Sequence, residues 1–223
     1  MPNVIDVMVI GAHPDDAEIG AGGLLALCKA RGLRTGVLLL TRGEGGSWGD
    51  PATRAAEARA ASTLLGVSVF HQLDLGDTRL DAGDANTATV ENLLLESPPR
   101  LLVTHTDTDW NPDHRAAWAL VERAWARANR GRFHGEAAIE RPRVLQFAID
   151  PRRALRPALV VDISTVWPAK LAALAAHASQ ARVMDAIGVD TVSRWAGALI
   201  GVERGEAFTS PEPVALDSSL RLI

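Results

Sequence analysis

The sequence predicts an α/β fold built on a mostly parallel sheet with helices on both faces, and three observations carry that prediction. An apolar, β-branched run, Val4 to Ile10, is closed by Gly11 and followed by a stretch, Ile19 to Arg31, in which Ile19, Gly23, Leu24 and Leu27 keep helical spacing. A second apolar run of strand length, Thr35 to Leu40, comes directly after the helix stop at Gly32. Strand and helix patterns then continue to alternate, and a β-α-β start implies a parallel sheet with right-handed crossovers.

Each later element has its own signal. Asp50-Pro51 opens a helix, with the aspartate as cap and the proline at the first helical position. Val67 to Leu73 reads as a third strand in which His71 is a packed or edge histidine, and the turn-rich Asp74 to Leu80 follows. Thr89 to Glu96 is helical and ended by Pro98-Pro99, and Arg100 to Thr104 is a fourth strand. Asp113 is expected to cap a helix from His114 to Arg130, whose Ala117, Leu120, Val121, Ala124 and Trp125 form an apolar stripe, with Trp118 and Trp125 as a helical turn pair or core residues and not a cofactor box. Residues 131–142 read as irregular and charged, Val144 to Ile149 and Leu159 to Ile163 as strands, Val166 to Ser179 as a helix with His177 near its end, and 188–205 as partly helical.

Composition narrows the function classes. At 223 residues the chain is one large domain or a domain with an extension, long enough to bury a substantial core. A net charge of −4 argues against nucleic-acid and anionic-membrane partners, since both rest on a basic face. No window approaches ~18 consecutive apolar residues, and no secretory signal pattern opens the chain. The lone Cys28 excludes an internal disulfide, fits a reducing compartment, and sits on the apolar helix face as a core residue. These readings predict a soluble, cytoplasmic protein.

The chemistry concentrates in the first strand-to-helix turn, Gly11-Ala12-His13-Pro14-Asp15-Asp16-Ala17-Glu18, where one imidazole and three carboxylates fall within six residues. Open α/β sheets place their ligands at such carboxyl edges. A neutral imidazole and one carboxylate can ligate Zn²⁺ while a second carboxylate stays free to take a proton from water. The alternative is that Asp15 or Asp16 merely caps the helix and His13 is a polar loop residue. A second constellation, Asp109-Trp110-Asn111-Pro112-Asp113-His114, favours the metal reading, because zinc needs a third protein ligand and His114 occupies a turn of the same kind. The glycine-rich stretch Arg42 to Gly49 lacks the Gly-Lys-Ser/Thr ending of a phosphate-cradling loop, which discounts a nucleotide site. Arg54 and Glu57, three apart on one helix face, are either a solvated pair or part of a site. Asp77 is a candidate to line the pocket.

On these residues the chain resembles the zinc-dependent N-acetylglucosaminyl deacetylases, the group that includes the LmbE-like proteins, the deacetylase of phosphatidylinositol glycan synthesis and the bacterial thiol-cofactor deacetylases. The resemblance is carried by Ala12 to Glu18, by Thr41-Arg42-Gly43-Glu44-Gly45 with Arg54 and Glu57, and by Asn111-Pro112-Asp113-His114. Later echoes are Val161-Asp162-Ile163-Ser164, Lys170, His177-Ala178-Ser179-Gln180 and Gly205-Glu206-Ala207-Phe208. It implies a Rossmann-like single domain over 1–223, Zn²⁺ held by His13, Asp16 and His114, Asp15 as general base, Asp113 orienting a neighbouring imidazole or ligand, Arg54 anchoring an anion or hydroxyl of the substrate, and a homo-oligomer. The departure is Asn111, where many family members have a histidine assigned to oxyanion stabilisation. Asparagine donates an amide hydrogen bond but supplies neither a cation nor a proton. Either Asn111 and zinc suffice, or another residue such as His105 or His177 substitutes.

The function this implies is removal of an N-acetyl group from a small N-acetylglucosamine conjugate. The first-choice substrate is N-acetylglucosaminyl-malate, the precursor of bacillithiol, because the Gly205 to Phe208 ending before Pro211 and Pro213 looks most like that branch, and the Arg54 guanidinium could pair with a malate carboxylate. The alternatives are another N-acetylated sugar such as diacetylchitobiose, or a sugar- or nucleotide-binding module without hydrolase activity.

Overall fold

A computed structural model describes residues 3–46, 48–131, 138–154 and 156–213; much of the irregular stretch expected at 131–142 lies outside the described residues. Five parallel strands form the central sheet in the order β3-β2-β1-β4-β5: β1 Ile5–Gly11, β2 Thr35–Leu39, β3 Val69–Gln72, β4 Pro99–His105 and β5 Arg143–Phe147. The helices α1 Asp16–Ala30, α2 Pro51–Leu64, α3 Asp84–Glu96 and α4 Pro112–Arg130 connect them.

The alternation within β1 explains the two layers. Val7 and Val9 point into an apolar cluster with Leu25 of α1 and Ala61 of α2, while Met8 and Ile10 point into another with Leu94 of α3 and Leu120 of α4. A strand covered on both sides has to be apolar throughout, which is why β1 reads as a continuous hydrophobic run. Trp118 and Cys28 are buried, as expected. The chain winds outward from β1 through β2 and β3, then returns to the other side of β1 as β4. The order therefore reverses between β1 and β4, and the loops leaving these neighbours open a crevice at their carboxyl ends.

The last third departs from the simple alternation. α5 Pro151–Ala154, β6 Leu159–Asp162, α6 Trp167–Ala175, α7 Ala181–Ile187, α8 Val189–Ala198 and β7 Gly205–Phe208 follow in order. β6 pairs antiparallel with β7 in a separate two-stranded sheet, tied to β5 by the bridge between Gln146 and Thr209. The segment Leu159 to Ile163, expected as a buried strand, is thus a half-buried ribbon outside the main sheet. The helix expected over Val166 to Ser179 is shorter, with single 3₁₀ turns at Ser164–Val166 and Ala178–Gln180 flanking α6. Pro168 favours the first turn of α6. At the other end Ser179 donates through N and Oγ to the Glu57 carboxylate, at 2.8 and 2.6 Å, which draws the chain out of helical course. α3 begins at Asp84, earlier than the expected Thr89, with Gly83 as its cap. Among the described residues no helix is long and apolar enough to cross a membrane.

Candidate metal centre and cleft

β1 ends at Gly11, where an added Cβ would stand 2.9 Å from Asp16 Cβ, so the first turn of α1 can lie against the strand end only over a glycine. Asp15 sits in the left-handed region at φ 114°, a strained conformation of the kind found where a side chain must be aimed. The backbone N–H of His13 donates to Asp16 Oδ2 at 2.7 Å, fixing the Asp16 carboxylate against the turn. His13 Nδ1 is then 3.4 Å from Asp16 Oδ2. From the first turn of α4, His114 Nε2 reaches 3.3 Å from His13 Nδ1 and 3.5 Å from Asp16 Oδ1.

The far nitrogens of the two imidazoles face carboxylates. His13 Nε2 lies 3.1 Å from Asp77 Oδ1 and 3.2 Å from Asp113 Oδ2, and His114 Nδ1 lies 3.1 Å from Asp109 Oδ1. A proton on each far nitrogen leaves His13 Nδ1 and His114 Nε2 as lone pairs converging on Asp16, the tautomer and orientation of metal-bound imidazoles. Two imidazoles and a carboxylate form a three-donor set of the zinc type with a position to spare. The donor set and its backing therefore fit a divalent ion held by His13, Asp16 and His114. The backing is itself braced: Asp113 accepts from Thr78 N at 2.6 Å and Leu80 N at 3.3 Å, and Asp77 accepts from Gly45 N at 2.8 Å. Asp109 accepts from Asn111 N at 3.0 Å and Ile149 N at 3.2 Å.

Asp113 does not cap α4, contrary to the expectation. The helix starts at Pro112, Asn111 is the cap, and its Oδ1 accepts from Asp113 N at 2.9 Å. Proline at the first helical position moves the start upstream and frees the Asp113 carboxylate for His13.

Charge states follow from this packing. Burial pulls the His13 imidazole down, but Asp113, Asp16 and Asp77 outweigh it and push it up to about 12, so a divalent ion held at Nδ1 would displace a proton that these carboxylates otherwise favour. Burial works against the Asp16 carboxylate, yet His114 and His105 hold it well below the usual range. His105, fully buried beneath Asp16 with Nε2 3.1 Å from Asp16 Oδ2, is lowered to about 4 by burial and by neighbouring His114, so it is neutral. Asp15 goes the other way. Burial and the Asp16 charge raise it to about 7, with Arg54, His177 and His13 pulling back.

Seven of the eight sequence-predicted site residues, His13, Asp15, Asp16, Arg54, Asp77, Asn111 and His114, line one cleft of about 650 Å³. Asp113 lies behind His13. Arg54 is 4% exposed; its Nη1 donates to Gly43 O and its Nη2 to Pro14 O, both at 2.9 Å, and Nη2 is 3.7 Å from Asp15 Oδ2. Its first task is to hold the two loops and Asp15. Neither histidine raised as a substitute for the missing oxyanion imidazole reaches the cleft: His105 is beneath Asp16, and buried His177 lies against Glu18, 3.2 Å from Oε2. The Asn111 Nδ2 group, in contrast, makes no hydrogen bond among the described residues. In the sequence Asp109 and Trp110 stand out only as members of the constellation around His114, with no role of their own, and Arg182 on the cleft wall carries no local signal.

Residues 8–125 match the family model described as PIG-L: GlcNAc-PI de-N-acetylase. The diacetylchitobiose deacetylase of Thermococcus kodakarensis is 30% identical over 190 residues, covering 80% of this chain and 71% of that one. A Bacillus cereus protein named as a probable N-acetyl-alpha-D-glucosaminyl L-malate deacetylase 2 is 29% identical over 194 residues, covering 80% of this chain and 84% of that one. The 4-oxalmesaconate hydratase of Pseudomonas putida is 30% identical over 191 residues, covering 78% and 73%. Among solved structures, the conserved protein TT1542 from Thermus thermophilus has a TM-score of 0.86 at 32% identity, covering 97% of this chain and 99% of that one.

Proposed function

Since the chain belongs to the PIG-L family of GlcNAc-PI de-N-acetylases, we propose that it is a metal-dependent hydrolase that removes the acetyl group from the nitrogen of a small N-acetylglucosamine conjugate. The observation that carries this reading is the placement of Asp15, a cleft-lining carboxylate raised to about 7, beside the donor set of His13, Asp16 and His114. A carboxylate of that pKa can both accept and return a proton near neutral pH.

His13, Asp16 and His114 would hold the ion, for which Zn²⁺ suits the donors best. When bound it supplies Lewis acidity toward the acetamide carbonyl and the attacking water. Asp15 takes a proton from that water as the oxygen attacks the carbonyl carbon, and gives it to the amine nitrogen as the C–N bond breaks, so acetate and a free amine leave. Arg54 keeps Asp15 aimed and offsets the Asp16 charge. Asn111 Nδ2 is the protein's hydrogen-bond donor to the developing oxyanion. Asp113 and Asp109 orient the imidazoles of His13 and His114.

The substrate favoured is N-acetylglucosaminyl-malate, supported by the Bacillus cereus relative named for that conjugate. Diacetylchitobiose is the competing choice, after the Thermococcus relative. Residues 1–223 are read as one catalytic domain working in the cytoplasm, as a homo-oligomer. The test is acetate release by zinc-loaded protein from N-acetylglucosaminyl-malate, N-acetylglucosaminyl-inositol, diacetylchitobiose and free N-acetylglucosamine, before and after chelation. 4-Oxalmesaconate belongs in the panel because a relative is named as its hydratase. Its turnover, with no acetate from any sugar, would sink the deacetylase reading.

A further inference from the structure

Two guanidinium groups line the cleft, and they are employed differently. Arg54 is buried and spends its terminal nitrogens on Pro14 O and Gly43 O beside Asp15. Arg182, in α7, is exposed and makes no hydrogen bond or ion pair among the described residues. Asp150, the acid on the same wall, is already taken by Arg152 at 2.8 and 3.2 Å.

We propose that the outer part of this cleft is a subsite for a carboxylate-bearing aglycone, and that Arg182 is the residue that selects it; the proposal deepens, and rests on, the deacetylase reading. The reaction sets the direction in which a substrate lies. Asp15 and the donor set of His13, Asp16 and His114 close the inner end of the cleft, so the acetamide goes inward and the aglycone lies outward, along the wall that carries Arg182. A guanidinium fork then meets that carboxylate bidentately. A neutral second sugar would leave this cation unused.

The wall around Arg182 has the remaining features of a recognition surface. Trp110 is 68% exposed and Trp48 is 44% exposed, and both border the cleft. Large indoles held in water are uncommon away from binding surfaces. The backbone displaying Trp110 is fixed, with Arg115 Nη1 donating to Asp109 O at 2.7 Å and to Trp110 O at 2.9 Å. The approach to α7 is fixed as well: Gln180 Nε2 donates to Trp48 O at 2.8 Å, next to the Ser179 bonds to Glu57. Arg182 is therefore presented from the start of α7, directly after a braced turn, with Val183 and Ile187 beside it on the wall.

The experiment compares kcat/KM for N-acetylglucosaminyl-malate with that for its neutral methyl glycoside, in zinc-loaded wild type, Arg182→Ala, Arg182→Lys and Arg182→Glu. The acidic-to-neutral ratio should fall about tenfold in Arg182→Ala, mainly through KM, as expected for loss of a charge-assisted hydrogen bond. It should fall further in Arg182→Glu and recover in part in Arg182→Lys. Calorimetric affinity for the deacetylated malate product should follow the same order. A ratio unchanged across all three variants overturns the assignment of Arg182 while leaving deacetylation intact. Acetate from diacetylchitobiose but from neither of these substrates in wild type overturns this proposal alone, and no acetate from any of the sugars overturns the deacetylase reading and this proposal with it.

Discussion

Lys170 Nζ lies 2.6 Å from Glu206 Oε1 inside a break in α1. At Ala21, φ is −144° and ψ 16°, so the helix is two pieces: a turn that carries Asp16 and Glu18, and a longer scaffold segment. Lys170 Nζ donates to Ile19 O at 2.8 Å, closing the carboxyl end of the first piece. Glu206 accepts from Gly23 N at 2.6 Å and Leu24 N at 2.8 Å, closing the amino end of the second. A cation at a helix carboxyl end and an anion at an amino end are the signs the broken ends call for. The buried pair thus fixes the angle at which the metal-donor turn leaves the scaffold.

Glu206→Ala should therefore be costly, because it strands the Lys170 ammonium and two amides in the interior. The expected loss is about 3–5 kcal/mol in urea unfolding. Lys170→Met combined with Glu206→Gln should cost less than Glu206→Ala alone, since no unpaired charge remains. A Glu206→Ala midpoint close to wild type would mean that the break is held by other contacts.

Asp109 is expected to act on metal affinity through His114. Removing the carboxylate that fixes the His114 tautomer, in Asp109→Ala, should weaken metal binding about 10- to 100-fold in chelator competition. His114→Ala, which deletes a donor outright, should leave the site largely empty under the same conditions. Equal affinity of Asp109→Ala and wild type would remove Asp109 from the support of the site.

Arg54 is expected to set the pH dependence through Asp15. The Asp15 carboxylate is raised to about 7 by burial and Asp16, with Arg54 opposing. The base works ionised, so activity should rise with pH through the Asp15 pKa; a bound cation adds to the pull of Arg54 and places that limb at or below about 7. Arg54→Ala removes a cation 3.7 Å away, so the pKa rises and the limb moves to higher pH. Arg54→Lys should restore part of the shift. A limb that stays put in the pH profile of Arg54→Ala would show that the titrating group is not Asp15.

The contrast between what the sequence exposed and what it hid has a physical basis. β1 and β2 were legible because strands buried on both faces must be apolar along their length, and the donor turn was legible because His13, Asp15 and Asp16 are neighbours in the chain. The last third was less so. β6 and β7 pair across more than forty residues, and α6 ends where Ser179 meets Glu57, a partner set by tertiary packing that no local pattern records. The same holds at the site. Proline at position 112 shifts the cap from Asp113 to Asn111, and the contact of Asp113 with His13 spans the three crossovers between β1 and β4.

Asn111 combines two roles that a pair of variants separates. Its Oδ1 caps α4 through Asp113 N, while its Nδ2 has no hydrogen-bond partner among the described residues and the side chain lines the cleft. Asparagine and aspartate cap helices about equally well, so Asn111→Asp should keep the stability of the fold within a few tenths of a kcal/mol. It nevertheless replaces a donor by an anion where negative charge develops in the transition state. The expected loss in kcat is therefore at least the hundred- to thousand-fold, in round numbers, that follows removal of one oxyanion donor. Asn111→His reverses the balance: an ionisable donor is gained, the cap is weakened by about 1 kcal/mol, and turnover or the acid side of the pH profile should change while the melting temperature drops. If Asn111→Asp turns over acetamide at the wild-type rate, the oxyanion receives no help from this side chain, and the substitution of asparagine for histidine has no catalytic consequence in this protein.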